Sequence, residues 1–213
     1  MRGKFISLEG GEGSGKTTAI NFIQEWLESH DIPYLMTREP GGTPLAEEIR
    51  QLVLASRDEK VNDTTELLLV FAARAQHLAE KIQPALDKGI WVISDRFLDS
   101  SYVYQGKARG GDVSVIDQLS AWVVGDNKPD ATLLLDISVQ QGQQRVAQRK
   151  QQDRLDNESI AFHEKVREGF LERARVDSDR IKVIDASLTL NEVKAQIESQ
   201  LMALNHAWAG EAE

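Results

Sequence analysis

Residues 10–17 read Gly10-Gly11-Glu12-Gly13-Ser14-Gly15-Lys16-Thr17, which fits G-x-x-x-x-G-K-[ST] in full. Four of the chain's 15 glycines fall inside this stretch. Glycine lets the backbone curl until successive N–H groups point at one anion. A helix starting just after Gly15 aims its positive end at the same place. Lys16 then reaches the β- and γ-phosphates of a nucleotide, and the Thr17 hydroxyl can hold Mg²⁺. Thr18, next on the same turn, is counted with the loop. The pattern predicts ATP-type nucleotide binding without specifying the reaction.

The surroundings agree. Residues 4–8 form a short apolar strand before the loop, and residues 16–29 carry Ile20, Ile23 and Leu27 at helical spacing. Strands are predicted at 33–37, 89–94, 131–137 and 181–185. Helices are predicted at 43–55, 64–87 with a bend at Pro84, 113–124, 138–149, 156–176 and 188–207. Thr43 and Pro44 suit the cap and first position of the second helix. Strands alternating with helices predict an α/β fold of the P-loop NTPase class. It would be a three-layer sandwich with a five-stranded parallel sheet and helices on both faces. All 213 residues are expected in one domain, 1–213.

Composition removes several classes. With 25 basic and 34 acidic residues the net charge is −9, which opposes general nucleic-acid binding. There is no cysteine, hence no disulfide, thiolate metal site or Cys nucleophile. No apolar run is long enough for a membrane span or a secretory signal, so the cytoplasm is the expected location. Histidines 30, 77, 163 and 206 lack ligand spacing.

A nucleotide-dependent switch is the competitor from another class. Asn127-Lys128-Pro129-Asp130 resembles a guanine-reading N-K-x-D, but it precedes a strand instead of following one, and no D-x-x-G occurs. A small-molecule kinase suits the length better. Such an enzyme needs a second site. Asp95-Arg96 ends a buried-type strand, where ligands of parallel sheets collect; the acid can orient Mg²⁺ and its water, and the arginine can clamp phosphate. Phe71 and Arg74, three apart on one helix, can stack on a base and bond its edge. Residues 142–154 hold Arg145, Arg149, Lys150 and Arg154 against Asp153 alone, a local reversal of charge that suits a lid at about 142–156.

Taken together the chain resembles the bacterial thymidylate kinases of the nucleoside monophosphate kinase family. Besides the glycine loop, the matching pieces are Thr37-Arg38-Glu39-Pro40-Gly41-Gly42-Thr43, Phe71-Ala72-Ala73-Arg74, Asp95-Arg96-Phe97, Asp99-Ser100-Ser101 and Tyr104-Gln105-Gly106. They run from about Lys4 to Leu204. The resemblance implies transfer of a phosphoryl group from ATP to dTMP with Mg²⁺, in dTTP synthesis. It implies that Phe71 stacks on thymine while Arg74 bonds its edge. Ser101 and Gln105 would lie beside the base, Tyr104 would crowd the sugar 2′ position, and Glu12 would face the 3′-hydroxyl. Arg96 would hold the acceptor phosphate, with Arg38 and Arg50 lining that pocket. Thr17 and Asp95 would serve the metal. Phe97 stands where many relatives have Tyr, and the loop holds no arginine, so a lid arginine is implied as the catalytic partner of Lys16 and Arg96: Arg154 first, Arg149 second. Asp185-Ala186-Ser187 would border the adenine, while Asp136, read from its place at a strand end, can touch the nucleotide crevice or serve a structural ion pair. The apolar helix 64–82 would form a homodimer interface. A kinase for another nucleoside monophosphate, and a switch or binding module, remain the alternatives.

Overall fold

The computed structural model describes residues 2–148, 154–156 and 158–210. Five strands build one parallel sheet: β1 (Phe5–Glu9), β2 (Tyr34–Arg38), β3 (Trp91–Asp95), β4 (Ala131–Asp136) and β5 (Ile181–Asp185), in the order β2-β3-β1-β4-β5. β1 lies in the middle, with Ile6 opposite Ile93 on one side and Ala131 on the other. The strands β1 and β4 are buried on both faces, which is why they read as unbroken apolar runs.

Alternation along β1 divides the core. Ile6 and Leu8 face one layer, where Ile23, Trp26 and Leu27 of α1 (Lys16–Ser29) meet Ile197 and Leu201 of α9 (Leu190–Gly210). Phe5 faces the opposite layer, with α3 (Asp63–His77), α4 (Gln83–Asp87) and α6 (Val113–Val123). Beside them, α8 (Ile160–Val176) packs Phe162, Val166 and Phe170 on Leu134 of β4. The remaining helices are α2 (Pro44–Leu54), α5 (Leu98–Ser101) and α7 (Val139–Val146). This is the expected three-layer sandwich.

Two segments differ from the expected pattern. The long helix 64–87 is three pieces, because Leu78–Ile82 widens into a π-helical turn and Pro84 sits at the start of α4. Residues 98–108, assigned no helix from sequence, form α5 and a second π-helical stretch, Tyr102–Ala108. Of the lid at about 142–156, residues 149–153 lie outside the described residues. Among the described residues, no helix is long and apolar enough to cross a membrane.

Candidate active site

The carboxyl ends of β1, β3 and β4 lie side by side, so Glu9, Asp95 and Asp136 mark one edge of the sheet. The glycine loop leaves β1 there. Gly10, Gly13 and Gly15 have φ of 147°, 75° and 94°, conformations that side chains resist. Gly15 caps α1 without a side-chain bond, and the first turn of α1 carries no acid. Its N–H groups and positive end are therefore left for an anion. Lys16 Nζ donates to the carbonyls of Gly10 at 3.1 Å and Gly11 at 3.4 Å, bracing the loop. Burial, then the Arg96 charge, lower the pKa of this ammonium. Thr17 and Thr18 are exposed on the first turn, and Ser14 Oγ is buried without a partner among the described residues.

Beyond the loop a cavity is lined by Gly15, Thr18, Arg145, Ala186, Leu188 and Val193. Arg145 spans it, donating to the carbonyls of Ala186 at 3.1 Å and Gly13 at 3.4 Å. Among the described residues of the 142–154 run, Arg145 is thus the arginine that reaches the glycine loop. Its charge was readable in the sequence, but its role was not. Asp185 is exposed and bonded to Ser187, so only Ala186 of that trio lines the cavity. Asp136 holds Arg167 in a two-pronged pair at 2.8 and 2.9 Å.

On the other side of the loop lies a narrow inner cavity lined by Glu39, Val70, Arg74, Arg96 and Tyr104. Arg74 forms its back wall, with only 1% of its surface exposed. Three of its five N–H groups are engaged: Nε donates to Glu39 Oε2 at 2.7 Å, Nη1 to Ser101 Oγ at 3.0 Å and Nη2 to the Phe97 carbonyl at 3.1 Å, which leaves one N–H on each terminal nitrogen. His77 continues the chain, with Nδ1 3.0 Å from Glu39 Oε1 and Nε2 2.6 Å from Thr37 Oγ1. A carboxylate only accepts, so Nδ1 carries a proton toward Glu39. Ser101, Tyr104 and Gln105 line the same cavity.

Between cavity and loop stands Arg96. Its φ is 69°, a left-handed conformation unusual for a residue that carries a Cβ. Nη2 donates to Glu12 Oε1 at 2.6 Å and Nη1 to the Gly10 carbonyl at 3.0 Å; the guanidinium lies 4.9 Å over the Tyr104 ring. Tyr104 donates to the same Glu12 oxygen at 3.0 Å, and burial first of all keeps this phenol protonated by raising its pKa. Glu9, fully buried, holds the Arg96 turn from below. Its Oε1 accepts from the N–H groups of Phe97 at 2.9 Å and Ser100 at 3.3 Å, and Oε2 accepts from Ser100 Oγ at 2.6 Å. Burial, then the Asp99 charge, push the Glu9 pKa up to about 7, against the pull of Arg96 and of the Ser100 and Phe97 hydrogen bonds. Asp99 itself is buried between Arg173 and Arg180.

Some expected residues lie elsewhere. Phe71 does not line the inner cavity; its ring packs in the core beside Leu67, Phe97 and Leu98 and faces a groove with Leu119 and Val123. Val70, one position earlier, takes the cavity wall. Phe71 nevertheless shares a face with Arg74 as expected, the guanidinium lying 4.8 Å over its ring. Arg154 does not approach the glycine loop: its Nη2 donates to Glu66 Oε2 at 2.5 Å and its Nε to the Val53 carbonyl at 3.2 Å. Arg149 lies outside the described residues. Arg38 is exposed, paired with Glu47 at 2.8 Å, and opens on a separate groove with Asp95. Arg50 donates to the Pro40 carbonyl at 2.9 Å, and burial, then Arg38, lower its pKa.

A magnesium ion fits this edge. Asp95 Oδ1 is buried with no partner among the described residues, and Thr17 offers a hydroxyl. No cluster of three His, Cys, Asp or Glu side chains suited to a metal occurs among the described residues. Such a sparse oxygen set is what Mg²⁺ accepts when phosphates complete its shell.

The chain is similar to known proteins over nearly its whole length. A family model described as Thymidylate kinase matches residues 8–197. The chain is 77% identical over 211 residues to a thymidylate kinase of Marinomonas sp. (strain MWYL1), covering 99% of this chain and 100% of that one. It is 49% identical over 204 residues to the thymidylate kinase of Ruthia magnifica subsp. Calyptogena magnifica, covering 96% and 100%. The crystal structure of thymidylate kinase from Ehrlichia chaffeensis superposes with a TM-score of 0.75 at 32% identity, over 95% of this chain and 99% of that one. With its glycine loop facing an arginine-walled cavity across Arg96, the chain belongs to the thymidylate kinase family.

Proposed function

We propose that the chain transfers the γ-phosphoryl group of ATP to dTMP, giving ADP and dTDP for dTTP synthesis. One observation carries this beyond family membership. The Arg74 cavity and the glycine loop lie on either side of Arg96, so two anionic substrates can meet at one cation. The adenine of ATP would occupy the cavity crossed by Arg145, and the thymine the cavity walled by Arg74, Val70, Ser101 and Gln105.

The attacking phosphate oxygen is already an anion at neutral pH, so the site needs no general base. Its task is positioning and charge neutralisation during in-line transfer. Lys16 and the N–H groups of α1 hold the donor phosphates. Arg96 exchanges its bond to Glu12 for the acceptor phosphate and keeps the two anions together. Released, Glu12 turns to the sugar 3′-hydroxyl, while Tyr104 crowds the 2′ position and favours deoxyribose. Thr17 and Asp95 would hold Mg²⁺, which neutralises charge on the β- and γ-oxygens when bound. Arg38 and Arg50 add positive potential near Asp95 and Arg96. Arg154 serves the acceptor side through Glu66, and Arg145 is the arginine that serves the donor side. The whole chain acts as one kinase domain in the cytoplasm.

We also propose a homodimer. Leu68 is 53% and Trp122 85% exposed beside a groove lined by Phe71, Leu119 and Val123. An exposed apolar face of this kind suits a two-fold contact. Light scattering should report a dimer, and Trp122→Glu should give monomers; a monomeric parent would end this reading.

An ADP-release assay with dTMP, dUMP, UMP, CMP, AMP and GMP tests the activity. Turnover should be strong with dTMP. Equal rates with all acceptors, or hydrolysis independent of any acceptor, would refute it.

A further inference from the structure

Glu66 of α3 is a buried carboxylate that the reaction described above does not use directly. Only 3% of its surface is exposed, and it lines the inner cavity. Gln105 Nε2 donates to its Oε1 at 2.9 Å, and Arg154 Nη2 donates to its Oε2. Arg109 Nε stands 4.0 Å from Oε1 while its Nη2 bonds Glu158 at 2.6 Å. A carboxylate beside two guanidinium groups can only accept, so the Gln105 amide must turn its NH₂ toward Glu66. The carbonyl end of Gln105 is then the end left for the cavity, and among the described residues it has no donor.

We propose that Glu66 is a positioning residue that fixes which end of the Gln105 amide faces the acceptor base, and thereby selects a base carrying an N–H donor at that edge. The inference rests on the reading of this cavity as the base pocket. Thymine and uracil present an N3–H donor beside a 4-oxo acceptor. Cytosine presents the reverse pair. The Gln105 carbonyl accepts N3–H, and the donor-only Arg74 guanidinium matches the 4-oxo group. Cytosine meets an acceptor against its N3 lone pair and a donor against its amino group, and such unpaired buried groups are strongly rejected. The pair Glu66 and Arg154 also ties this orientation to residues 154–155, since Leu155 lines the same cavity.

Glu66→Gln tests the idea. The new amide can keep its oxygen on Arg154 and present NH₂ to Gln105, which must then flip its own NH₂ into the cavity. The KM for dTMP should rise about tenfold or more, with kcat within about threefold and the KM for ATP unchanged. The preference for dTMP over dCMP should fall by about tenfold or more. The double variant Glu66→Gln, Gln105→Glu restores an acceptor on both sides. One oxygen of the carboxylate introduced at position 105 takes the NH₂ introduced at position 66, and the other faces the base. It should recover most of the dTMP KM and preference. Parental preference retained in Glu66→Gln overturns the inference, and so does a double variant no better than the single one. A single variant too unstable to assay but rescued in fold and preference by the second change supports it; failure of both to fold overturns it, since a side chain that only orients Gln105 tolerates its isostere. A parent enzyme with no preference for dTMP refutes the base-pocket reading itself, a result distinct from parental preference that survives Glu66→Gln.

Discussion

Replacing Glu9 with Gln should stabilise this protein at alkaline pH while leaving it nearly unchanged at mildly acidic pH. Glu9 has no exposed surface, and its pKa stands at about 7 against an ordinary 4.5. The folded state therefore binds this proton more tightly than the unfolded chain does. Between pH 4.5 and 7 the folded state holds more protons, so unfolding free energy falls as pH rises. The difference, 7 − 4.5 = 2.5, corresponds to about 3 kcal/mol at about 1.4 kcal/mol per pH unit. That contribution is complete below about pH 4.5 and is lost as pH climbs through 7. Gln imitates the protonated form. Its carbonyl can keep the Phe97 and Ser100 N–H groups, and its NH₂ can donate to Ser100 Oγ once that hydroxyl turns. Urea unfolding followed by the fluorescence of the four tryptophans, from about pH 5 to 8.5, would measure the effect. At about pH 8.5 the variant should be more stable by about 2 to 3 kcal/mol, and its pH profile should be flatter. A variant that is less stable at that pH, or that tracks the parent profile in parallel, would refute the reasoning.

Other substitutions separate packing from chemistry. Arg96→Gly and Arg96→Ala should both abolish turnover, but Gly should leave the protein about 1 kcal/mol more stable than Ala, because φ is 69° there; equal melting temperatures would remove the strain argument. Phe71→Ala should cost about 3 kcal/mol of stability and change the KM for dTMP by less than about threefold, read by denaturation and steady-state kinetics; a large loss of dTMP affinity would return the ring to the base pocket. Arg145→Ala should raise the KM for ATP by about tenfold, as expected for the loss of roughly 1.4 kcal/mol, with little effect on dTMP; an unchanged ATP KM would remove Arg145 from the donor side.

The layered sheet was legible in the sequence because buried parallel strands are apolar without alternation and helices repeat every three to four residues. Residues 98–108 were not, because Asp99-Ser100-Ser101-Tyr102 carries no apolar stripe and its helix is held by Glu9, Arg173 and Arg180 from distant segments. The cations of the site were similarly visible as motif, whereas their anchors were not. Glu12 meets Arg96, Glu39 meets Arg74 and Glu66 meets Arg154 only after folding. Phe71 and Arg74 meet as their spacing implies, the guanidinium lying 4.8 Å over the ring, whereas the depth to which the ring is buried was not readable, because it depends on neighbours from distant segments. A charged residue closing an apolar strand, as Glu9 does, is a readable sign of a buried anchor.

The place of β1 in the middle of the sheet bears on synthesis. Its partners, β3 and β4, begin at Trp91 and Ala131. At about 5 to 20 residues per second on the ribosome, roughly 6 to 25 seconds pass between making Ile6 and making Ala131. For that interval the central strand and the glycine loop behind it lack one flank, and the apolar edge that β4 will cover is open to other chains. Native nucleotide binding cannot begin until most of the chain has emerged. Sequences that slow or truncate translation before β4 should therefore yield aggregates and not a smaller, partly active enzyme.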